Sequence, residues 1–151
     1  MIAQKEKRRT PVSQTAEYAL RAIVYLAGNP EEARITRDIA KHTQTPPSYL
    51  SKVLQLMVKA DLLCSRRGLK GGFTLKARPS EISILDIVNA VDPLQRIDVC
   101  PLKLPEHHDQ LCPLHRRLDE AMAATEEALR NTSIAEISVT PDSAEPLHKI
   151  E

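Results

Sequence analysis

The sequence predicts a mainly α fold with a small β-hairpin, and three observations carry the prediction. Apolar residues recur at helical spacing in separate stretches along the chain. Three of the four glycines crowd into one basic segment, 68–72, between two short apolar runs. The positive charge is concentrated in the first half: residues 1–80 hold 15 Lys and Arg against 6 Asp and Glu, a net of +9, whereas residues 81–151 hold 6 against 14, a net of −8.

Residues 1–11 are polar and basic without a period and read as a mobile arm. Ser13 is an N-cap for a first helix with Ala16, Leu20, Ile23, Val24 and Ala27 on one face, stopped by Gly28-Asn29-Pro30. A short second helix starts at Thr36, passes through Ile39 and Ala40, and ends near His42. The third begins at Thr45, with Pro46 and Pro47 in a first turn where missing N–H groups cost nothing, and continues from Ser48 to Ala60. Leu50, Val53, Leu54, Met57 and Val58 make its apolar face, which leaves Ser48, Tyr49, Ser51, Lys52 and Gln55 exposed near its N-terminal end. These side chains can reach base edges and phosphates. For Tyr49, packing on the helical core is the competing role.

Residues 62–65 and 73–75 read as two strands joined by 66–72, with Cys64 a small buried hydrophobe of the first strand. Helix, short helix, helix and basic hairpin in that order make a winged helix-turn-helix, which spans 12–92 and places its third helix in a major groove of double-stranded DNA. The wing's Arg66, Arg67 and Lys70 meet backbone or minor groove, and Gly71 with Gly72 gives the tight return. Ser83 and Asp86 form a capping box for a helix through Val91, ended by Asp92-Pro93. Residues 93–113 show no sustained period and hold Pro101, Pro105, two cysteines and two histidines, as a functional loop would. From Leu114 the stripe Leu114, Leu118, Ala121, Met122, Thr125, Leu129 runs down a long helix that so small a domain cannot cover. A second copy covers it, making 114–139 a C-terminal dimerisation helix with a further turn capped by Ser133 and Glu136; residues 140–151 read as a flexible tail.

Composition narrows the functions further. Aromatics are 3% with no Trp, against a carbohydrate- or base-stacking platform, and three cysteines cannot close a disulfide framework. The most apolar segment, 18–27, is ten residues long and contains Arg21, far short of a membrane span, and the charged first residues resemble no export signal; a cytoplasmic protein without a membrane partner is expected. No Ser-His-Asp set, phosphate cradle or nucleotide fingerprint suggests an enzyme. An interaction protein that kept its dimer helix and lost DNA is the remaining class.

Several of these segments together carry a resemblance. Ser13-Gln14-Thr15-Ala16-Glu17-Tyr18-Ala19-Leu20-Arg21-Ala22, Ser48-Tyr49-Leu50-Ser51-Lys52-Val53-Leu54 and Arg67-Gly68-Leu69-Lys70-Gly71-Gly72-Phe73-Thr74-Leu75 resemble the Rrf-type winged-helix transcriptional regulators, the family of IscR, NsrR and RirA. The likeness covers about residues 12–137. It implies a homodimeric regulator, in the main a repressor, whose DNA binding is tuned by an iron-sulfur cluster sensing redox state, iron or nitric oxide. The commonest cluster pattern in that family is Cys-x5-Cys-x5-Cys, with a His three residues after the last Cys in one branch. Cys100 and Cys112 stand at the outer positions, His115 stands at the histidine, and the middle position is Glu106. Some members take an acidic ligand from the partner's first helix, just before Tyr-Ala-Leu, where this chain has Glu17.

The resemblance thus implies a 2Fe-2S cluster on Cys100, Cys112, Glu17 contributed by the partner subunit, and one of His115, Glu106, His107 or His108, with His115 preferred. Four irons would want the missing thiolate. Histidine ligation would make occupancy fall as pH drops and imidazole protonates. Two alternatives stand beside it: a mononuclear metal, for example zinc on two Cys and two His, and a metal-free loop that only shapes the dimer.

Overall fold

The computed structural model describes residues 11–107 and 109–138. The arm expected at 1–11, apart from Pro11, and the tail expected at 140–151 lie outside the described residues. Helix α1, Gln14–Ala27, opens where Ser13 Oγ accepts the Ala16 N–H at 3.2 Å, and it buries Ala16, Ala19, Ala22, Ile23, Val24 and Leu26. So many small and branched residues bury more than one side of α1, and helices α2 (Thr36–Thr43), α3 (Pro47–Lys59), α4 (Ile84–Val91) and α6 (Ile134–Ser138) all pack against it.

The join between α2 and α3 differs from the sequence expectation. Helix α3 starts at Pro47 with Pro46 as its N-cap, and Thr45 belongs to the preceding turn. Gln44 closes α2 in the left-handed region at φ 53°, and buried Thr45 is held by its N–H, which donates to the Ala40 carbonyl (3.0 Å), and by its Oγ1, which accepts from Thr43 Oγ1 (3.0 Å). A side chain committed to that turn cannot begin the next helix. The apolar face of α3 is as expected: Leu50, Val53, Leu54 and Met57 are buried, and Val58 packs at their edge.

The hairpin pairs β1 (Leu63–Arg66) with β2 (Gly72–Leu75), in the register Leu63↔Leu75 through Arg66↔Gly72. The first strand starts one residue later than the apolar run, because the Leu62 N–H closes the end of α3 on the Met57 carbonyl at 3.0 Å. Cys64 is half-buried rather than buried, since the strand alternates and Leu63 takes the inner position. Phe73 also exchanges two backbone hydrogen bonds with Arg34, at 3.1 and 2.8 Å, which ties the wing to the loop before α2. Gly72 permits this approach: its φ is 139°, and a Cβ there would lie 2.6 Å from the Arg34 carbonyl oxygen.

Both capping boxes are present. Ser83 and Asp86 cap α4, and Ser133 Oγ receives the Glu136 N–H at 3.3 Å while the Glu136 carboxylate accepts from Ser133 N–H at 3.0 Å. Helix α5, Pro113–Arg130, has no buried residue along its 18 positions. The chain then returns: the Ile134 N–H bonds the Ile82 carbonyl at 2.8 Å, the Ile84 N–H bonds Thr132 at 3.0 Å, and Ile134 enters the same core as α1 and α3. The result is a mostly helical, winged helix-turn-helix architecture. No described helix is long and apolar enough to cross a membrane.

Candidate nucleic-acid interface and metal centre

One surface is made by α3 and the hairpin. Burial of Leu50, Val53 and Leu54 turns Ser48, Ser51, Lys52 and Gln55 outward, and all four are exposed. Tyr49 is 38% exposed and packs on α1: its hydroxyl lies 2.6 Å from Thr15 Oγ1, and its ring meets Tyr18 edge to face at 5.5 Å. That leaves part of the ring, not a free hydroxyl, for a ligand. On the wing Arg66, Arg67 and Lys70 are exposed, and none of them nor Lys52 enters an ion pair among the described residues. Gly71 acts through the turn: its N–H donates to the Gly68 carbonyl at 2.9 Å, and a Cβ would sit 2.4 Å from the Arg66 carbonyl oxygen.

A second site lies in 93–113. Leaving α4, the chain is strapped along α5 by Arg96, whose Nε and Nη2 donate to the two carboxylate oxygens of Asp119 at 2.7 and 2.6 Å. The Ile97 N–H adds a third bond to Asp119 at 2.9 Å, and Arg96 also reaches Glu126 at 3.5 Å. Hydrogen bonds from Arg96, then from the Ile97 N–H, hold the Asp119 carboxyl down to about 2. Sequence reasoning missed this strap, whose partners stand 23 positions apart without a shared motif.

The strap leads into a cluster of soft donors. Cys100 is 2% and Cys112 6% exposed, and between 93 and 133 they are the only buried residues among those described. Cys100 Sγ is 3.5 Å from His107 Nδ1 and 3.7 Å from His115 Nδ1; Cys112 Sγ is 3.1 Å from His115 Nδ1. The donor atoms of Cys100, His107 and Cys112 all lie within 4.8 Å of one another. Burial pushes the Cys100 thiol up, but the backbone N–H groups of Cys112 and Leu102 and the Cys112 thiol more than offset it, so the thiol sits below its ordinary value. Cys112 is the N-cap of α5 with Pro113 behind it, so whatever holds its sulfur also holds the start of that helix.

Of the expected ligands, Cys100, Cys112 and His115 come together. Glu17 does not join them within the chain: it pairs with Arg21 at 2.9 Å, and Arg21 in turn donates to the Thr43 carbonyl at 3.3 Å. Glu106 is exposed. The turn Pro105–His107 brings the ring of His107, one of the four candidates in the sequence, to Cys100. Two thiols with two imidazoles suit a borderline-soft ion and not magnesium or calcium.

A family model described as Rrf2, iron-dependent transcriptional regulator, matches residues 12–140. A protein of Aquifex aeolicus named as an HTH-type transcriptional regulator is 30% identical over 128 residues, covering 83% of this chain and 89% of its own. Among solved structures, CymR, the global cysteine regulator of B. subtilis, superposes with a TM-score of 0.72 at 22% identity, over 89% of this chain and all of that one. IscR of T. potens does so with 0.69 at 22% identity, over 85% of each chain. The two superpositions bear on the fold.

Proposed function

The chain belongs to the Rrf2 family of transcriptional regulators, and from that premise we propose that it is a homodimeric repressor that binds double-stranded DNA under the control of a metal centre in its 93–113 loop. The observation that carries the reading is the set of exposed cations without ion-pair partners among the described residues, Lys52 on α3 and Arg66, Arg67 and Lys70 on the wing, in the half of the chain whose net charge is +9. Phosphates are drawn to that surface and repelled by the acidic remainder. Ser48, Ser51, Lys52, Gln55 and the open part of the Tyr49 ring read the major groove. The wing cations grip the backbone, with Gly71 holding the turn that presents them.

Helix α5 joins a second copy through the face it leaves open. Leu114 and Leu118 are 61% and 48% exposed, and Ala121 and Thr125 continue that face; Met122 and Leu129 of the expected stripe are half-buried on the side that also carries Asp119 and Glu126. A bound metal would supply a tie between loop and helix through Cys100, Cys112 and His115. Because Cys112 starts α5, and α5 sets the mutual orientation of two α3 helices in the dimer, gain or loss of the tie changes the spacing of the DNA-reading surfaces.

The test starts from a binding site selected out of a random duplex library. Lys52→Ala should cost about 1 to 3 kcal/mol on the selected site if Lys52 reads a base, or weaken selected and random duplexes alike if it holds phosphate. Wild-type protein that binds neither duplex at low salt contradicts the reading.

A further inference from the structure

We propose that the loop holds one tetrahedral divalent ion of the zinc class, Zn(II) or Fe(II), within a single protomer on Cys100, His107, Cys112 and His115, and not the two-iron cluster that the resemblance implies. The proposal rests on the reading that this loop carries the regulator's metal input, and it names the occupant.

Bonds of about 2.3 Å to sulfur and about 2.0–2.1 Å to imidazole nitrogen set an S···N edge of about 3.6 Å around one tetrahedral ion. Of the three S···N separations here, 3.5 and 3.7 Å have the length of such an edge, and the 3.1 Å contact of Cys112 with His115 is shorter and lengthens on binding. In a two-iron cluster the four donors divide into pairs, and donors on different irons are held apart by the bridging sulfides. Grouping the two cysteines puts the 3.5 Å contact across the cluster. Grouping Cys100 with His107 puts the 3.7 Å contact there, and grouping Cys100 with His115 puts the 3.1 Å contact there. Every division asks a close contact of this structure to open across the cluster, whereas among these three contacts a single ion lengthens only the 3.1 Å one.

Two independent observations agree. The carboxylate that would complete a cluster from the partner, Glu17, is engaged by Arg21 at 2.9 Å, and the middle position, Glu106, is exposed. Two thiolates also neutralise a divalent ion, so the filled site buries no net charge; binding releases the two thiol protons. The ion further answers a structural need. From 93 to 133 the described residues bury nothing besides these two cysteines, and a metal can order a segment that has no core of its own.

The 151-residue chain is to be purified without oxygen and assayed for zinc, iron and acid-labile sulfide; the metal-free protein is then titrated with Co(II), whose visible spectrum reports tetrahedral thiolate ligation. The expected result is one ion per protomer, no sulfide, and one equivalent of Co(II) with tetrahedral bands. His107→Ala, a change in a half-buried turn, should lose the bands while keeping the helical circular dichroism of the wild type; Glu17→Gln should keep them. Two irons with two sulfides per site, a Cys100–Cys112 disulfide in place of metal, failure to take up Co(II), or loss of the bands in Glu17→Gln or His108→Ala but not in His107→Ala would each overturn the proposal. DNA binding by the same preparations separates the two readings. One ion per protomer without DNA binding sinks the regulator reading and leaves the site; DNA binding with a cluster or no metal does the reverse.

Discussion

From α1 to α4 every helix buries apolar side chains against its neighbours, whereas the segment from 93 to 133 buries only two cysteines among its described residues. The first region is positively charged at its surface and complete within one chain. The second holds together through an arginine strap and a thiol-imidazole cluster, and leaves Leu114 and Leu118 in solvent. The difference separates two kinds of order. Burial specifies a scaffold that presents α3 and the wing in one arrangement, while under the two proposals above the weakly buried segment takes its arrangement from an ion and a second copy. A regulator needs both, since a fully buried switch has no second state to move to.

The largest expected effect lies in the first region. Leu54→Ala removes a side chain from the centre of the core and should cost about 2 to 5 kcal/mol in chemical denaturation. Because Ile134 shares that core, α6 should be lost in the same transition, and a separate earlier transition for α6 would blur the comparison. Next comes Leu118→Glu, which should leave the midpoint of unfolding of the N-terminal core nearly unchanged yet give monomers in sedimentation and lose most affinity for a two-half-site duplex. Monomeric wild-type protein at micromolar concentration would remove the second copy from the account.

Replacing Arg66, Arg67 and Lys70 with Ala should lower the slope of log affinity against log salt by up to about 3, near one unit per phosphate contact, with stability unaffected. An unchanged slope would take the wing off the DNA. The smallest effect belongs to the strap. The Asp119 carboxyl, held at about 2, gives stabilisation that is complete above the ordinary aspartate range near pH 4 and lost as pH falls toward 2. Asp119→Asn should flatten that acid limb and speed amide hydrogen exchange at Ile97, whose N–H loses a charged acceptor. Exchange at Ile97 as slow as in the wild type would show that the strap does not order the loop.

Local signals were readable wherever donor and acceptor sit within a few positions of each other. The Ser13 cap, the Ser83–Asp86 and Ser133–Glu136 boxes, the apolar face of α3 and the glycine-rich hairpin all stand where the sequence suggests them. Contacts between distant segments were silent. Nothing local announces that Arg34 pairs with Phe73, that Ile134 returns to Ile82, or that Arg96 spans 23 positions to Asp119. Thr45 misled for a related reason: the pattern of a helix start is present, but a buried threonine turn claims the residue first. Around the 93–113 loop the two cysteines and His115 were carried by the family resemblance, while His107 was one of several candidates, Glu106 and His108 among them, that no local signal separated.

By itself, then, the sequence determined the helices and hairpin, the sign of each half of the molecule, the family to which it belongs and the types of donor in the loop. These depend on periodicity, capping and residue identity, which are properties of short stretches of chain. Tertiary structure alone decided that His107 stands beside Cys100, that Glu17 is already paired with Arg21, and that the donor atoms of Cys100, His107 and Cys112 lie within 4.8 Å of one another. A ligand set is a matter of where the chain's path brings atoms in space. Residues seven or fifteen positions apart meet only once the strap and the start of α5 have fixed that path.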